Sequence, residues 1–184
     1  MTTKRVLLSA SALVLLLAGG LLIAQLTARG DNDRPGTNTA TPTTPSPSES
    51  PTPPSEREQV EEAYLRQWDV YARAVHDLDA QELDEVFTGK ALDAVQTEIR
   101  DLRRDGLGVR VRVNHDLRIR IADPATAVVV DSYENHSVAF DLDTGKATER
   151  DPNEIIVEAY TLKKVNGAWK VSAISRQSVR PIER

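Results

Sequence analysis

Apolar residues recur at steps of three and four in the segment that follows Pro54. This spacing is typical of one buried face on an α-helix. Ser55 and Glu58 form the pattern of a capping box and would begin that helix. The pattern therefore predicts a first helix of roughly six turns. Its apolar stripe comprises Val60, Tyr64, Trp68, Tyr71, Ala72, Val75 and Leu78.

Two further helical segments are predicted before the pattern changes. A short one lies near Glu82–Phe87, and a longer one runs from Lys90 to Arg104. Gly106 and Gly108 would end the longer helix, since glycine is the common residue after a helix C-terminus. The stripe of this third helix comprises Leu92, Val95, Ile99 and Leu102.

The period then changes from 3.6 to 2. Apolar residues occupy odd positions and arginines occupy even positions between Val109 and Ile121, which predicts one long strand with one buried face. Residues 127–140, 155–165 and 169–178 predict three more strands, and Asn166-Gly167 predicts a tight hairpin. Helices followed by strands predict an α+β domain in which the helices pack on a curved, mostly antiparallel four-stranded sheet.

The N-terminal segment has the features of a membrane anchor. Lys4 and Arg5 precede a run of 21 mostly apolar residues, Val6–Leu26. A helix of this length would cross a bilayer, and the basic pair would stay in the cytoplasm. We predict a cytoplasmic tip over 1–5, a transmembrane signal-anchor over 6–28 and a C-terminal domain outside the cell membrane. The alternative is a cleaved signal peptide and secretion.

Residues 29–54 are predicted to be a disordered linker. Pro35–Pro54 contains seven prolines among threonines and serines. Such a segment cannot bury enough apolar surface to offset the entropy of ordering, and its prolines favour an extended spacer. The folded domain is therefore predicted over 55–184.

Composition excludes several classes of site. The chain of 184 residues contains no cysteine, so disulfides, thiolate metal sites and a cysteine nucleophile are excluded. Residues 55–184 carry 19 Lys and Arg against 25 Asp and Glu, a formal net charge of −6. An acidic domain is a poor nucleic-acid binder, so no nucleic-acid partner is predicted. No spacing matches a metal site, and no cofactor is predicted.

The order of the helices and strands resembles that of a known family. The hairpin segment Lys163–Val171 after three helices resembles the nuclear transport factor 2-like superfamily, which has the cystatin-like cone fold. Within it, the segment Leu83–Leu92 is similar to the intermembrane-space domain of chloroplast-division proteins. The resemblance covers Glu58–Gln177. It implies a cone-like sheet, but members include isomerases, dehydratases, ligand binders and catalytically silent partner-binding modules, so it implies no single activity.

Enzymes of this superfamily often place an Asp or His with a Tyr in the mouth of the cone. His115 is in register with the buried valines, so we expect it to point inward, either as a core histidine bonded to backbone or as a base. Asp131 interrupts an apolar run and is expected to face solvent, with a buried base as the alternative. No catalytic residue is assigned. The candidate pocket comprises Tyr64, Trp68, Tyr71, His115, Asp131 and Tyr160, and Tyr133 and His136 are further options. Trp68, Tyr71 and Trp169 are expected to pack between helix and sheet.

Four arginines share one face of the first predicted strand: Arg110, Arg112, Arg118 and Arg120. One interpretation is a solvated outer face balanced by acidic residues on neighbouring strands, such as Glu134 and Glu158. The other is a binding face for an acidic partner protein, an anionic polymer or lipid head groups.

The sequence as a whole favours a membrane-tethered, non-enzymatic module for protein–protein or ligand contact at the cell envelope. The alternative is a small-molecule binding protein, or an isomerase or dehydratase, that uses the cone pocket with Asp131 or His115 as base. Self-association through the sheet is compatible with either function.

Overall fold

The computed structural model describes residues 53–148 and 152–183. The predicted signal-anchor and nearly all of the predicted linker lie outside these residues. Within the described part of the chain, no helix is both long enough and apolar enough to cross a membrane.

Three helices open the described chain, as predicted. Helix α1 spans Glu56–Asp77, and the capping box is present at its start. The backbone N–H of Glu58 donates to Ser55 Oγ over 3.3 Å, and the Ser55 N–H donates to Glu58 Oε2 over 2.7 Å. Helix α2 spans Leu83–Val86 and α3 spans Gly89–Asp105. Gly106 ends α3 at a φ of 70°, which glycine adopts without steric cost.

Seven strands follow in the described residues, where four were predicted. The predicted strand over 109–121 is divided into β1 (Leu107–Arg110), β2 (Val113–Asn114) and β3 (Leu117–Asp123). The predicted strand over 127–140 is divided into β4 (Thr126–Asn135) and β5 (Val138–Asp141). The last two are β6 (Glu154–Val165) and β7 (Ala168–Pro181). Asn166 and Gly167 join them with φ values of 52° and 84°, which fit the predicted tight turn.

The strands form two sheets in which every strand pair is antiparallel. Strands β1 and β5 form a two-stranded sheet, and Phe140 of β5 also makes an isolated bridge with Ala147. The main sheet has five strands, in which β2 and β3 both pair with β4, followed by β6 and β7. The single four-stranded sheet was therefore wrong, although the α+β class and the antiparallel pairing are confirmed.

The chain changes sheet at two neighbouring points. The N–H of Arg112 donates to Ser137 Oγ over 3.0 Å, and the N–H of His136 donates to the Arg112 carbonyl over 2.8 Å. Between Val109 and Ile121, odd residues stay half-buried and even residues stay exposed through the first of these points. Because the alternation is unbroken, it does not reveal where pairing partners change.

The core lies between α1, α3 and one face of the main sheet, which we call the inner face. Inward residues of β4, β6 and β7 pack there against the helices, and the opposite side of the main sheet is the outer face. The most deeply buried apolar side chains are Val60, Tyr64, Val75, Leu83, Phe87, Ile99, Val129, Leu162 and Val171.

Candidate functional site

Asp131 lies at the centre of the inner face and is 0 % exposed. It stands on β4 between Val129 and Tyr133, which also point inward. The expectation that Asp131 faces solvent was wrong. Val128 and Val130, the alternate residues before it, point to the other face, so the apolar run spans both faces of the strand.

Three donors surround the Asp131 carboxylate. The Tyr64 hydroxyl donates to Oδ2 over 2.7 Å, and His115 Nδ1 lies 2.5 Å from the same oxygen. The backbone N–H of Asp116 donates to Oδ1 over 3.1 Å. Trp68 Nε1 donates in turn to the Tyr64 hydroxyl over 2.9 Å. A buried carboxylate is tolerated here because hydrogen-bond donors replace the water that it loses.

His115 points inward, as predicted, but its partner is a side-chain carboxylate and not the backbone. Its side chain is 18 % exposed. A carboxylate oxygen accepts, so Nδ1 is the donor in this contact and Nε2 is the second ring nitrogen of His115. Among the described residues, no hydrogen-bond partner of Nε2 is found.

Trp68 fills the space in front of this network. Its ring centroid lies 5.2 Å from those of both His115 and Tyr133, 5.7 Å from that of Tyr71 and 6.4 Å from that of Tyr160. Tyr64 and Tyr160 meet edge to face at 4.9 Å. These separations are those of aromatic rings in direct contact.

A second buried carboxylate, Glu158, lies beside the first. It accepts from the Tyr133 hydroxyl over 3.0 Å and from the Tyr160 hydroxyl over 2.6 Å, both at Oε2. Arg176 Nε donates to Oε1 over 2.8 Å. Glu158 is 6 % exposed and faces inward, so its expected place opposite the arginines was wrong. Its neighbour across β7 is Arg176, which neutralises it inside the domain.

Helix α3 contributes a third carboxylate. The Tyr71 hydroxyl donates to Glu98 Oε1 over 2.9 Å. Burial raises the pKa of Glu98 to about 7, and the hydrogen bond from Tyr71 only partly offsets that effect. Burial thus moves the pKa of Glu98 toward neutral pH.

The tyrosines of the cluster remain neutral donors. Burial raises the pKa of Tyr64, and the adjacent Asp131 carboxylate raises it further. Burial likewise raises the pKa values of Tyr133 and Tyr160, and Glu158 adds to both shifts. A phenolate here would lose its hydration and face a carboxylate, so these hydroxyls hold their protons.

The structure brings all six candidate pocket residues into one cluster. Glu98, Glu158 and Arg176 belong to it as well, and the sequence interpretation missed their part. Period-two alternation could have placed two of them, because Glu158 is two residues from the inward Tyr160, and Arg176 is two from Ile174. Trp169 is buried elsewhere, with Lys164 Nζ 5.3 Å from its ring centroid.

An open groove of about 310 Å³ lies apart from this cluster, between the C-terminal part of α1 and β1. Its floor is Ala72, Val109 and Val111, and charged or polar side chains form its rim. It contains none of the candidate pocket residues. Strand β1 packs closely here, since a Cβ at Gly108 would lie 2.5 Å from Phe140 Cζ. In the described ranges, no cluster of three or more His, Asp or Glu could hold a metal ion.

The four arginines are all exposed but do not share one strand. Arg110 lies on β1, where it donates to the Gly145 carbonyl over 2.8 Å. Its guanidinium carbon lies 4.3 Å from the centroid of the Phe140 ring. Arg112 lies between the sheets. Arg118 and Arg120 lie on β3, and among the described residues neither has an ion-pair partner.

The comparisons with known proteins concern the fold. The intermembrane-space region of the chloroplast protein ARC6 is similar over 67 % of this chain and 98 % of that one, with a TM-score of 0.54 and 17 % identity. The chain has the nuclear transport factor 2-like, cystatin-like fold. The resemblance seen in the sequence is therefore confirmed at the level of the fold.

Two further solved structures are similar at lower scores. A nuclear transport factor 2-like protein from Cytophaga hutchinsonii is 20 % identical, with 64 % of this chain and 97 % of that one covered and a TM-score of 0.44. A hexachlorocyclohexane dehydrochlorinase, LinA type 2, is 9 % identical, with coverages of 67 % and 88 % and a TM-score of 0.45. No protein-family model and no curated protein matches the chain.

Proposed function

We propose that this protein is a membrane-tethered, non-enzymatic module for protein–protein or ligand contact at the cell envelope. Residues 6–28 would hold it in the membrane, residues 29–54 would act as the spacer, and the domain would lie outside. The observation that carries the non-enzymatic part is the position of Trp68, whose ring contacts those of Tyr71, His115, Tyr133 and Tyr160 inside the cone.

A filled cone opposes catalysis for a geometric reason. A general base must come within hydrogen-bond reach of the proton that it removes. Here the Asp131 oxygens are occupied by Tyr64, His115 and the Asp116 N–H, and those of Glu158 are occupied by Tyr133, Tyr160 and Arg176. Asp131 thus joins α1 to the sheet, and Glu158 joins β4, β6 and β7 to one another, as structural groups do.

The ARC6 region gives one instance of this fold in a compartment bounded by membranes, as its description states. The apolar segment Val6–Leu26 and the Thr/Pro/Ser-rich spacer support a similar setting for this chain. Fractionation of cells that carry the full chain with a C-terminal tag tests the tether. We expect the tag in the membrane fraction, accessible to protease from outside. A tag in the cytosolic fraction would contradict the proposal.

The non-enzymatic part is tested by small-molecule binding to the purified full chain. We expect native mass spectrometry to find no copurified small molecule, and a panel of small aromatic and carboxylate compounds to leave the melting temperature unchanged. Trp68→Ala serves as the positive control, because a vacated apolar volume can bind benzene-sized molecules. Tight binding to the wild-type chain that Asp131→Asn abolishes would refute a filled, non-catalytic cone.

The His115–Asp131 pair favours one alternative, a small-molecule carrier or an isomerase or dehydratase-type enzyme. The 2.5 Å contact orients the imidazole, and Nε2 would be the nitrogen that meets a substrate. This function requires Trp68 to move aside. A ¹⁵N-resolved titration of His115 in the wild-type and Asp131→Asn chains, with and without the compounds of the panel, would reveal it as a ligand-dependent shift at Nε2.

A further inference from the structure

The outer face of the main sheet has an unusually apolar centre. An antiparallel sheet with helices on one side normally presents polar residues to water on the other. Here several outward positions of β4 and β6 are apolar and only partly exposed, with the polar Ser132 and Thr161 among them. The helices α1 and α3 pack on the opposite face, against Val129, Tyr160 and Leu162. The apolar centre comprises Val128, Val130, Ile155, Val157, Ala159 and Ala173.

Basic residues surround this centre. Arg118 and Arg120 pair with Val130 and Val128 and so lie along the β3 edge. At the two ends of the face, Lys163 and Arg180 are also exposed and outward. We call these four exposed cations, Arg118, Arg120, Lys163 and Arg180, the basic rim.

Carboxylates are almost missing from the same face. On the four strands β3, β4, β6 and β7, only Asp123 and Glu134 occupy outward positions, at opposite ends. Asp123 accepts from the Ala125 N–H over 2.8 Å, and Glu134 accepts from Asn114 Nδ2 over 3.1 Å. Glu158, the nearest further candidate on these strands, is turned inward. Asp116, exposed just before β3, is the further carboxylate nearest to Arg118 along the chain, yet no ion pair of Arg118 or Arg120 is found among the described residues.

This charge separation contrasts with the domain as a whole. Residues 55–184 carry a formal net charge of −6, yet the outer face is basic. A solvated face of an acidic domain needs neither a positive rim nor a valine-rich centre. A docking surface needs both, because apolar area supplies affinity and segregated charge supplies orientation and a fast encounter.

We propose that the outer face binds a partner protein whose contact surface has apolar side chains at its centre and Asp or Glu at its edge. The inference rests on the proposed contact function and names the surface and the chemistry of the partner. Two copies of this chain packed face to face would bring the basic rims together, which charge opposes. A polyanion or lipid head group would satisfy the arginines but leave the valines uncovered.

The test places a photo-crosslinking amino acid at Val157 in the full chain, in the cells that make it. The matched control position is Glu61, which is exposed on α1. We expect a heavier adduct from Val157 and none from Glu61. Mass spectrometry identifies the adduct, and the recombinant adduct protein is then titrated against the purified full chain at low and high salt. Charge reversal Arg118→Glu with Arg120→Glu is compared with Arg100→Glu with Arg104→Glu on α3, an equal change in net charge.

The expected result is a single adduct protein whose affinity weakens with salt and falls by at least about tenfold for the β3 variant, with little change for the α3 variant. Adducts from Glu61 alone would overturn the outer face as the docking site but leave a contact function in place. No adduct from either position would overturn both. An adduct with a second copy or with the N-terminal segment of the chain, or binding to anionic vesicles or heparin with the same Arg118 and Arg120 dependence, would also overturn the inference.

Discussion

Replacing Asp131 with alanine should be among the most damaging single changes in the domain. The variant leaves the Tyr64 hydroxyl, His115 Nδ1 and the Asp116 N–H without their acceptor. Tyr64 is 0 % exposed, so its hydroxyl cannot turn to bulk water, and an unmet buried donor costs about 1–3 kcal/mol. His115 is partly exposed and Asp116 is exposed, so water can reach these two at lower cost. We expect a total loss of about 3 kcal/mol.

The assay is urea unfolding of residues 55–184, followed by tryptophan fluorescence and far-ultraviolet circular dichroism. Asp131→Asn is the matched control, since it keeps the volume and one acceptor oxygen, and it should cost roughly half as much. Tyr64→Phe and the double variant complete a thermodynamic cycle. If Tyr64 and Asp131 are bonded, the double variant should lose less than the sum of the single losses by about 0.5–3 kcal/mol. A loss below about 1 kcal/mol for Asp131→Ala, or strict additivity, would refute the buried network.

Three further predictions concern α1 and α3. Trp68→Ala should lower the free energy of unfolding by about 3–5 kcal/mol, because it vacates the space between four rings. Burial raises the pKa of Glu98 in the folded state to about 7 from its ordinary value of 4.5, so the folded state binds a proton more tightly than the unfolded state. The shift adds about 2 kcal/mol to the free energy of unfolding, after a discount for solvent screening. This contribution is fully present below pH 4.5 and is lost as the pH rises through 7. Ser55→Ala should cost about 1 kcal/mol through the lost helix cap.

Each of these has a control in the same unfolding assay. Trp68→Phe should recover much of the Trp68→Ala loss, and a Trp68→Ala variant as stable as the wild type would mean that the cone is open. Glu98→Gln should flatten the stability difference between pH 5 and pH 8. If the difference persists, another group is responsible. Ser55→Thr should retain the cap, so equal losses for Ser55→Ala and Ser55→Thr would contradict its role.

Local signals were sufficient for the helices. The capping box at Ser55 and the glycine at position 106 use only neighbouring residues, and the structure confirms both boundaries closely. The sheet was harder, because strand pairing depends on residues far apart in sequence. The alternation between 109 and 121 is correct in its faces, yet pairing passes from β5 to β4 within it. Only the hydrogen bonds at Arg112 and His136 mark that change.

The sequence predicted which residues form the site better than it predicted which face of the sheet they occupy. The six aromatic and ionisable candidates do converge, because a small cone gathers the inward residues of several strands at its centre. Asp131 and Glu158 were assigned outward positions because isolated carboxylates favour water. Each is instead compensated by donors: Tyr64 of α1, 67 positions away, donates to Asp131, and Arg176 of the adjacent strand β7 donates to Glu158. The Tyr64–Asp131 pair depends on how α1 packs on the sheet, which a single sequence does not reveal.

The hydrogen bond between Tyr64 and Asp131 joins residues 67 positions apart. A contact that closes so long a loop tends to form late, after the hairpin of β6 and β7 has been built from nearer neighbours. Removing it should therefore accelerate unfolding much more than it slows folding. Asp131 would then contribute mainly to kinetic stability, and its loss should shorten the half-life of the folded domain more than it changes any other property.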